Sequence, residues 1–562
     1  MSATVAPAQL PLQRLYYWER SAPDRIAFTQ PVGDGKVVDY TWGEVVEQAR
    51  CMAAWLKAQG WEPGSRVAML AKNTAHWMIT DYAIWMAGYV SVPLYPTLAP
   101  NTISQILEHS GAKLLFVGKL DGWEGMKPGI PAGLPCIAHP LAPKDAKNSY
   151  PNWDDLIAKT KPLPGEPVRD GSELSTIMYT SGTTGMPKGV MHSFANFMAA
   201  VQAGLSRIPQ TAESRMLSYL PLSHVVERAL VEHGQLQTGM RVFFAESLDT
   251  FTADMQRARP TVFFSVPRLW VKFQQGVLHK MPQKKLDTLL KLPIINGIIK
   301  KKVLGALGLD QCIFAAGGAA PMPAELLAWY SRLGLNIAEG YGMTENIGAS
   351  HITEGDPSDF GTVGRSYEAV QCRIAPDTGE IQVKAPWNML GYYKQPELTR
   401  EVLTEDGWLL TGDKGSLDGR GRLKITGRVK DLFKTSKGKY VAPAPIEDKL
   451  VMHSAVEACC VTGANLGQPL ALLMLNADAA QEAKGAGRAA LESSLAAHMK
   501  AINAVLDPHE QLDCLVITAQ AWTVDNDLIT PTFKVKRNRI EDLFAKNYDH
   551  WVGQRKPVVW HG

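Results

Sequence analysis

The sequence predicts an α/β protein: a large N-terminal part of several subdomains with layered sheets and helices, followed by a small α+β C-terminal lobe. Three observations predict the architecture. Strand-like and helix-like segments alternate through the first part of the chain, a pattern of largely parallel sheets covered by helices. The texture changes near GRVKD (427–431), after which the strands are short and few. At about 150 residues per domain, 562 residues make three or four domains, or fewer if one is large.

The elements follow in order. WGEVVEQARCMAAWLKAQG (42–60) has apolar residues at helical spacing and stops at glycine. RVAML (66–70) is a short buried strand, 76–88 a helix, YVSVPLY (89–95) a strand and KLLFVG (113–118) another. STIMYT (175–180) and GVMHS (189–193) read as strands flanking a polar loop. Beyond the change in texture come strands at 459–463, 470–476 and 514–518, with an alanine-rich helix at about 486–505 between the last two. These readings divide the chain into 1–428 and 429–562, the second part being of ordinary domain size.

Composition narrows the class. Hydrophobic residues make up 46% and charged residues 20%, an ordinary globular balance. The net charge is +3, which predicts no broad nucleic-acid surface, so an anionic ligand needs a local site. Seven scattered cysteines, with no CxxC pair, argue against a zinc ribbon or disulfide framework and for a reducing compartment. The first residues lack a charged segment leading into an apolar core, so no signal peptide is expected. Two long uncharged stretches, 82–107 and 458–477, are interrupted by Pro93, Pro96 and Pro100 and by Gly463, Gly467 and Pro469. Neither reads as a membrane span, and the expected location is cytoplasmic.

MYTSGTTGMPKGVMHS (178–193) is the most informative segment. Thr180, Ser181, Gly182, Thr183, Thr184, Gly185 and Lys188 sit between the two strands. Glycines let backbone N–H groups wrap an anion, the hydroxyls add donors, and the lysine adds charge. A Walker loop would place GK[ST] at the start of a helix; here Lys188 precedes Gly189 and an apolar strand. A polar hairpin is the plain alternative for a lone Gly/Thr loop. The full string TSGTTGxPKG resembles the signature of adenylate-forming enzymes, which include acyl-CoA synthetases, peptide-synthetase adenylation domains and firefly-type luciferases.

That resemblance continues in order along the chain. In LPLSHVVE (220–227), His224 matches the position beside the acyl carboxylate, although a lone buried histidine is more often a core residue. AAGGAAPMP (315–323), with Gly318 and Ala319, resembles the loop on the adenine side; by itself it is a tight turn. In EGYGMTE (339–345), between Gly340 and Gly342, Tyr341 offers an aromatic face to adenine. Thr344 offers a hydroxyl to the α-phosphate. Glu345 offers a hard oxygen for Mg²⁺, and the resemblance pairs it with Thr180. TGDKG (411–415) and GRVKD (427–431) supply Asp413 and Arg428 for the ribose, and Lys430 falls at the hinge position. SKGKYVAPAPIE (436–447) follows, where the loop at Gly438 would line a pantetheine channel. In LITPTFKVKRNRI (528–540) the resemblance assigns the catalytic lysine to Lys534, with Lys536 two residues on as the alternative; Phe533 stands where many members have glycine.

The implied activity is an ATP-dependent ligation. A carboxylate attacks the α-phosphate to give acyl-AMP and pyrophosphate, and CoA then displaces AMP. Charge on the phosphates would be met by Lys188, Mg²⁺ and Lys534, and rotation of the C-terminal lobe about Lys430 would clear the path for the thiol. ATP, CoA and a small carboxylic acid are the implied substrates. The stretch ITGRVKDLFKTSKGKYVAPAPIE and the motif LITPTFKVKR resemble long-chain fatty acyl-CoA synthetases. VPRLW (266–270) matches a segment whose tryptophan, here Trp270, is proposed to gate the acyl tunnel; core packing is the plain alternative. From Lys280 to Lys302 lie seven lysines and one aspartate around the apolar LPIINGII, either a solvated basic helix pair or a contact for an anionic membrane surface. The alternatives to a fatty acid are an aromatic or bile-type acid, or an acyl-AMP former that loads a carrier protein. A non-catalytic sensor is the remaining class, and the presence of Lys188, Glu345 and Lys534 argues against it.

Overall fold

A computed structural model describes residues 3–180, 186–524, 526–530 and 534–561. The chain forms two compact units. One comprises residues 1–320, 327–372 and 383–410; the other comprises 321–326, 373–382 and 411–562.

Among the described residues, the first unit holds three sheets. In the largest, Leu174–Thr180, Val90–Leu94, Arg66–Leu70, Leu115–Val117 and Cys136–Ala138 lie side by side and parallel. Lys188–Ser193 and Gly391–Tyr392 extend it antiparallel. Its central strands read as unbroken apolar runs because both faces are covered. One face buries Ala68, Leu70, Val90, Val92, Leu115 and Ile177 in a common core with Ile103, Ile106 and Leu107 of the helix Pro100–Ser110. A second sheet runs Val262–Ser265, Phe314–Gly318, Ile337–Tyr341 in parallel, then His351–Ile352 and Arg365–Ser366. The third orders Lys36–Thr41, Ile26–Gly33, Arg241–Phe244 and Arg215–Ser218.

The expected elements are present with shifted ends. The first long helix is Trp42–Lys57, opened by a reciprocal cap between Thr41 and Glu44. The next, Ala75–Met86, starts from a Thr74 cap, and all twelve of its residues are buried. The strand expected over 89–95 is Val90–Leu94, and that over 113–118 is Leu115–Val117.

In the second unit, Val456–Thr462, Leu470–Leu475, Leu515–Thr518 and Val558–His561 make a mixed sheet. The last of these strands is one that the sequence reading did not include. Side chains alternate between two cores, as the period of two requires. Cys459, Val461, Leu473, Leu515 and Ile517 face the helices Pro443–Leu450 and Arg488–Asn503. Cys460, Leu472, Cys514 and Val516 face Arg537–Phe544 and Tyr548–Gly553. All seven cysteines are free thiols. No helix among the described residues is long and apolar enough to cross a membrane.

Candidate functional site

The Gly/Thr loop joins the arms of an antiparallel hairpin, Leu174–Thr180 and Lys188–Ser193, with Thr180 directly opposite Lys188. Ser181, Gly182, Thr183, Thr184 and Gly185 lie outside the described residues. The hairpin arms bring Lys188 beside Tyr392, which pairs with Val190 on the neighbouring strand. The Lys188 ammonium sits 5.4 Å from the Tyr392 ring centroid, within cation–π range. The Tyr392 hydroxyl donates to Glu345 Oε1 at 2.7 Å. Burial, then the nearby Glu345 charge, pushes the Tyr392 phenol well above its usual range, so it remains a donor. Sequence reasoning missed Tyr392; the signal was GYY (391–393), an aromatic pair on the strand next to the hairpin's second arm.

Glu345 is buried, in the single turn Thr344–Asn346. The backbone around it is tightly held. His192 Nε2 donates to the Thr344 carbonyl at 2.8 Å, which fixes its tautomer. Burial holds the His192 ring down to about 4, so it is neutral. Met389 N–H donates to the Glu345 carbonyl at 2.7 Å. Gly342 is required: a Cβ there would lie 2.3 Å from the Gly348 carbonyl carbon. The same holds at Gly318, paired with Gly340 across parallel strands, where a Cβ would meet the Gly340 oxygen at 2.8 Å. Ala319 then turns through left-handed backbone at φ 67°. Tyr341 ends its strand with the ring 6.0 Å from that of His351. A carboxylate and a hydroxyl are hard oxygen donors suited to Mg²⁺; among the described residues no cluster of three or more His, Cys, Asp or Glu forms a protein-only cage. This donor set fits an ion shared with substrate phosphates.

His224 caps the turn Val225–Glu227, its Nδ1 accepting from Val226 N–H at 3.3 Å. The loop leading to it is pinned by Asn73, which accepts from Leu222 N–H at 2.9 Å and donates to the Leu220 carbonyl at 2.6 Å. Glu227 is buried and accepts from Ser218 Oγ at 2.8 Å and Tyr219 N–H at 3.0 Å. Burial outweighs these bonds and pushes its carboxyl up to about 8. Arg228 follows at the start of a π-helical turn, Arg228–His233, a feature that recurs near functional sites. Its guanidinium is fully buried, paired with Asp81 and with Glu232. It also donates to Thr176 at 2.6 Å and Ser91 at 2.9 Å. The segment bearing His224 is thereby bolted to the strand that leads into the loop.

Trp270 is fully buried on the helix Pro267–Lys280. Its ring meets Phe263 at 5.3 Å and Tyr330 at 5.0 Å, both edge-on. Tyr330 Oη donates to the Trp270 carbonyl at 2.6 Å.

In the second unit, Asp413 and Arg428 face each other across paired strands. Arg428 Nε donates to Asp413 Oδ1 at 2.9 Å, so the two residues expected at the ribose form one ion pair. Lys430 is exposed in the turn that follows. Gly438, at φ +76°, turns the hairpin between Phe433–Lys434 and Tyr440–Val441. The basic run separates its two lysines. Lys536 is tied to Asp527; Lys534 is exposed, its N–H donates to Thr530 Oγ1 at 3.0 Å and its carbonyl accepts from Thr530 N–H at 2.8 Å. Arg537 makes a bidentate pair with Glu447, at 2.8 and 3.0 Å, a strong planar geometry.

The model of the AMP-binding enzyme family matches residues 16–393, and that of the AMP-binding enzyme C-terminal domain matches residues 430–552. The chain is 30% identical to the long-chain-fatty-acid–CoA ligase FadD15 of Mycobacterium bovis, over 94% of this chain and 95% of that one. Among solved structures it resembles the A domain of carboxylic acid reductase from Segniliparus rugosus, in complex with AMP and a carboxylic acid. The TM-score is 0.80 at 22% identity, over 97% of this chain and 94% of that one. A benzoate CoA ligase from Burkholderia xenovorans aligns with a TM-score of 0.73 at 21% identity, covering 94% and 99% of the two chains.

Proposed function

Since the chain belongs to the AMP-binding enzyme family, we propose that it is an ATP-dependent acid–CoA ligase acting on long-chain fatty acids. The observation that carries the reading is the Lys188–Tyr392–Glu345 arrangement at the foot of the Gly/Thr hairpin. It supports the reading because a bound triphosphate calls for a cation and a metal-holding carboxylate close together, and here one tyrosine links the two. The name of the mycobacterial relative supports a fatty acid as the substrate.

In the first step a carboxylate oxygen attacks the α-phosphorus of ATP, the bond to the bridging oxygen breaks, and pyrophosphate leaves. Lys188 and the hydroxyls of Thr180 and Thr344 hold phosphate oxygens, Tyr341 supports adenine, and His224 lies beside the acid. Glu345 with Thr180 would hold Mg²⁺, which neutralises phosphate charge when bound. Lys534 meets the growing negative charge. Asp413 and Arg428 hold the ribose. In the second step the CoA sulfur attacks the acyl carbon and AMP departs. The part after 428 turns about Lys430, withdrawing Lys534 and presenting Gly438 to the pantetheine arm. Trp270 closes the acyl path until an acid enters.

The test is a panel of acids with ATP, Mg²⁺ and CoA, read as acyl-CoA formed. The reading expects thioester from fatty acids of C8 and longer. Activity confined to benzoate-type acids would move the assignment to an aromatic acid, and pyrophosphate release without free acyl-CoA would move it to a carrier-loading enzyme.

A further inference from the structure

The helix Pro293–Ala306 has two apolar faces. Val303 points inward and is buried. At 100° per residue, Ile294 and Ile298 fall on the other side, with Ile295 on the flank next to Ile298. Ile294 is 84% exposed and Ile298 62%. Ile295 and the preceding Leu292 are exposed as well. Isolated surface hydrophobics need no explanation, but a contiguous set does. The same arc continues into Lys301 and Lys302, both exposed, and Lys280, Lys284, Lys285 and Lys291 are exposed around it. The lone acid of the segment, Asp287, is already engaged by Arg332 at 2.8 Å and by Gln283 at 2.7 Å. The positive charge is therefore left to face outward.

We propose that the face formed by Leu292, Ile294, Ile295 and Ile298, with Lys301 and Lys302 at its end, docks on an anionic lipid bilayer. The isoleucines enter the boundary between headgroups and acyl chains while the lysines meet lipid phosphates. The chemistry selects this occupant over a protein. Protein interfaces favour aromatic residues and arginine and disfavour lysine; this face has the opposite composition. A second copy packed on the same face about a twofold axis would set lysines against lysines. Docking stands apart from the choice of acid. On the fatty-acid reading it also places lipid at one end of the helix Pro267–Lys280, which carries Trp270 near its other end.

The experiment uses the full chain, without acid or ATP, sedimented with vesicles of phosphatidylcholine alone or with about a third replaced by phosphatidylglycerol. Binding should be at least about tenfold tighter to the anionic vesicles. Ile294→Asp/Ile298→Asp should weaken it by roughly tenfold or more. Lys301→Gln/Lys302→Gln should weaken it about fivefold per lysine and flatten its salt dependence. All four positions are exposed, so the thermal midpoint should not move. Equal binding to both vesicle types, no binding, or wild-type binding by both double variants overturns the proposal. So does light scattering that finds a wild-type dimer split by the isoleucine substitutions, which would make the occupant a second copy of this chain.

Discussion

Tyr392 joins two charged groups that have no direct bond of their own, and its two contacts can be separated. Tyr392→Phe keeps the ring under Lys188 and removes the hydroxyl on Glu345. Loss of a hydrogen bond to a charged group is worth about 1.5–3 kcal/mol. ATP–pyrophosphate exchange should fall roughly tenfold to a hundredfold, with a higher Mg²⁺ requirement. Tyr392→Ala should fall further, since the cation–π contact adds about 0.5–2 kcal/mol. An unchanged Mg²⁺ dependence in the phenylalanine variant would refute the linkage. The lysine pair gives a second residue-scale prediction. Lys534→Ala should abolish acyl-AMP formation and largely spare thioester formation from supplied acyl-AMP. Lys536→Ala, which loses a partly exposed pair with Asp527, should keep exchange within a few-fold. If exchange survives Lys534→Ala and dies with Lys536→Ala, the roles are reversed. Sequence order named Lys534; the structure adds that Lys536 pairs with Asp527.

At the scale of elements, the segment that carries His224 is held by buried groups with displaced protonation. Glu227 sits up at about 8, above its ordinary 4.5. A carboxyl raised in the folded state gives stability that is whole below pH 4.5 and lost as pH climbs towards 8. Three buried histidines, His76, His192 and His351, are held down to about 4 from 6.5. Their contribution is whole above pH 6.5 and is lost as pH falls towards 4. Glu227→Gln, a neutral isostere, should therefore flatten the decline in thermal midpoint on the alkaline side of pH 4.5 and leave the acid side unchanged. A variant that parallels the wild type across both arms would contradict the displaced carboxyl. Little of this was legible beforehand. Strands such as Arg66–Leu70 announce themselves as apolar runs, but Arg228 finds Asp81, Ser91 and Thr176 from across the sequence. No local pattern encodes such a meeting. The strand Val558–His561, which pairs with Leu515–Thr518, was equally hidden.

For the whole molecule, the prediction concerns movement. Lys430→Pro fixes φ at the proposed pivot. Acyl-AMP formation should stay within a few-fold while thioester formation falls at least about tenfold, measured as pyrophosphate exchange against single-turnover acyl-CoA release. Equal losses in both half-reactions would remove Lys430 from that role. The broad architecture was readable because the ordered motifs and the change of texture after 427–431 are long-range regularities of the chain. The net charge of +3 was less informative, since it averages a strongly basic helix pair with ion pairs dispersed elsewhere.

Cys459 and Cys460 are neighbours in sequence, yet they face separate cores on either side of one sheet. Burial pushes both thiols well above their usual range. A thiol-reactive probe thus meets neither while the sheet is intact. Loss of the helices on one side alone would uncover a single member of the pair. Two adjacent sulfurs therefore serve as a two-channel reporter, distinguishing which side of the lobe comes apart first under denaturant.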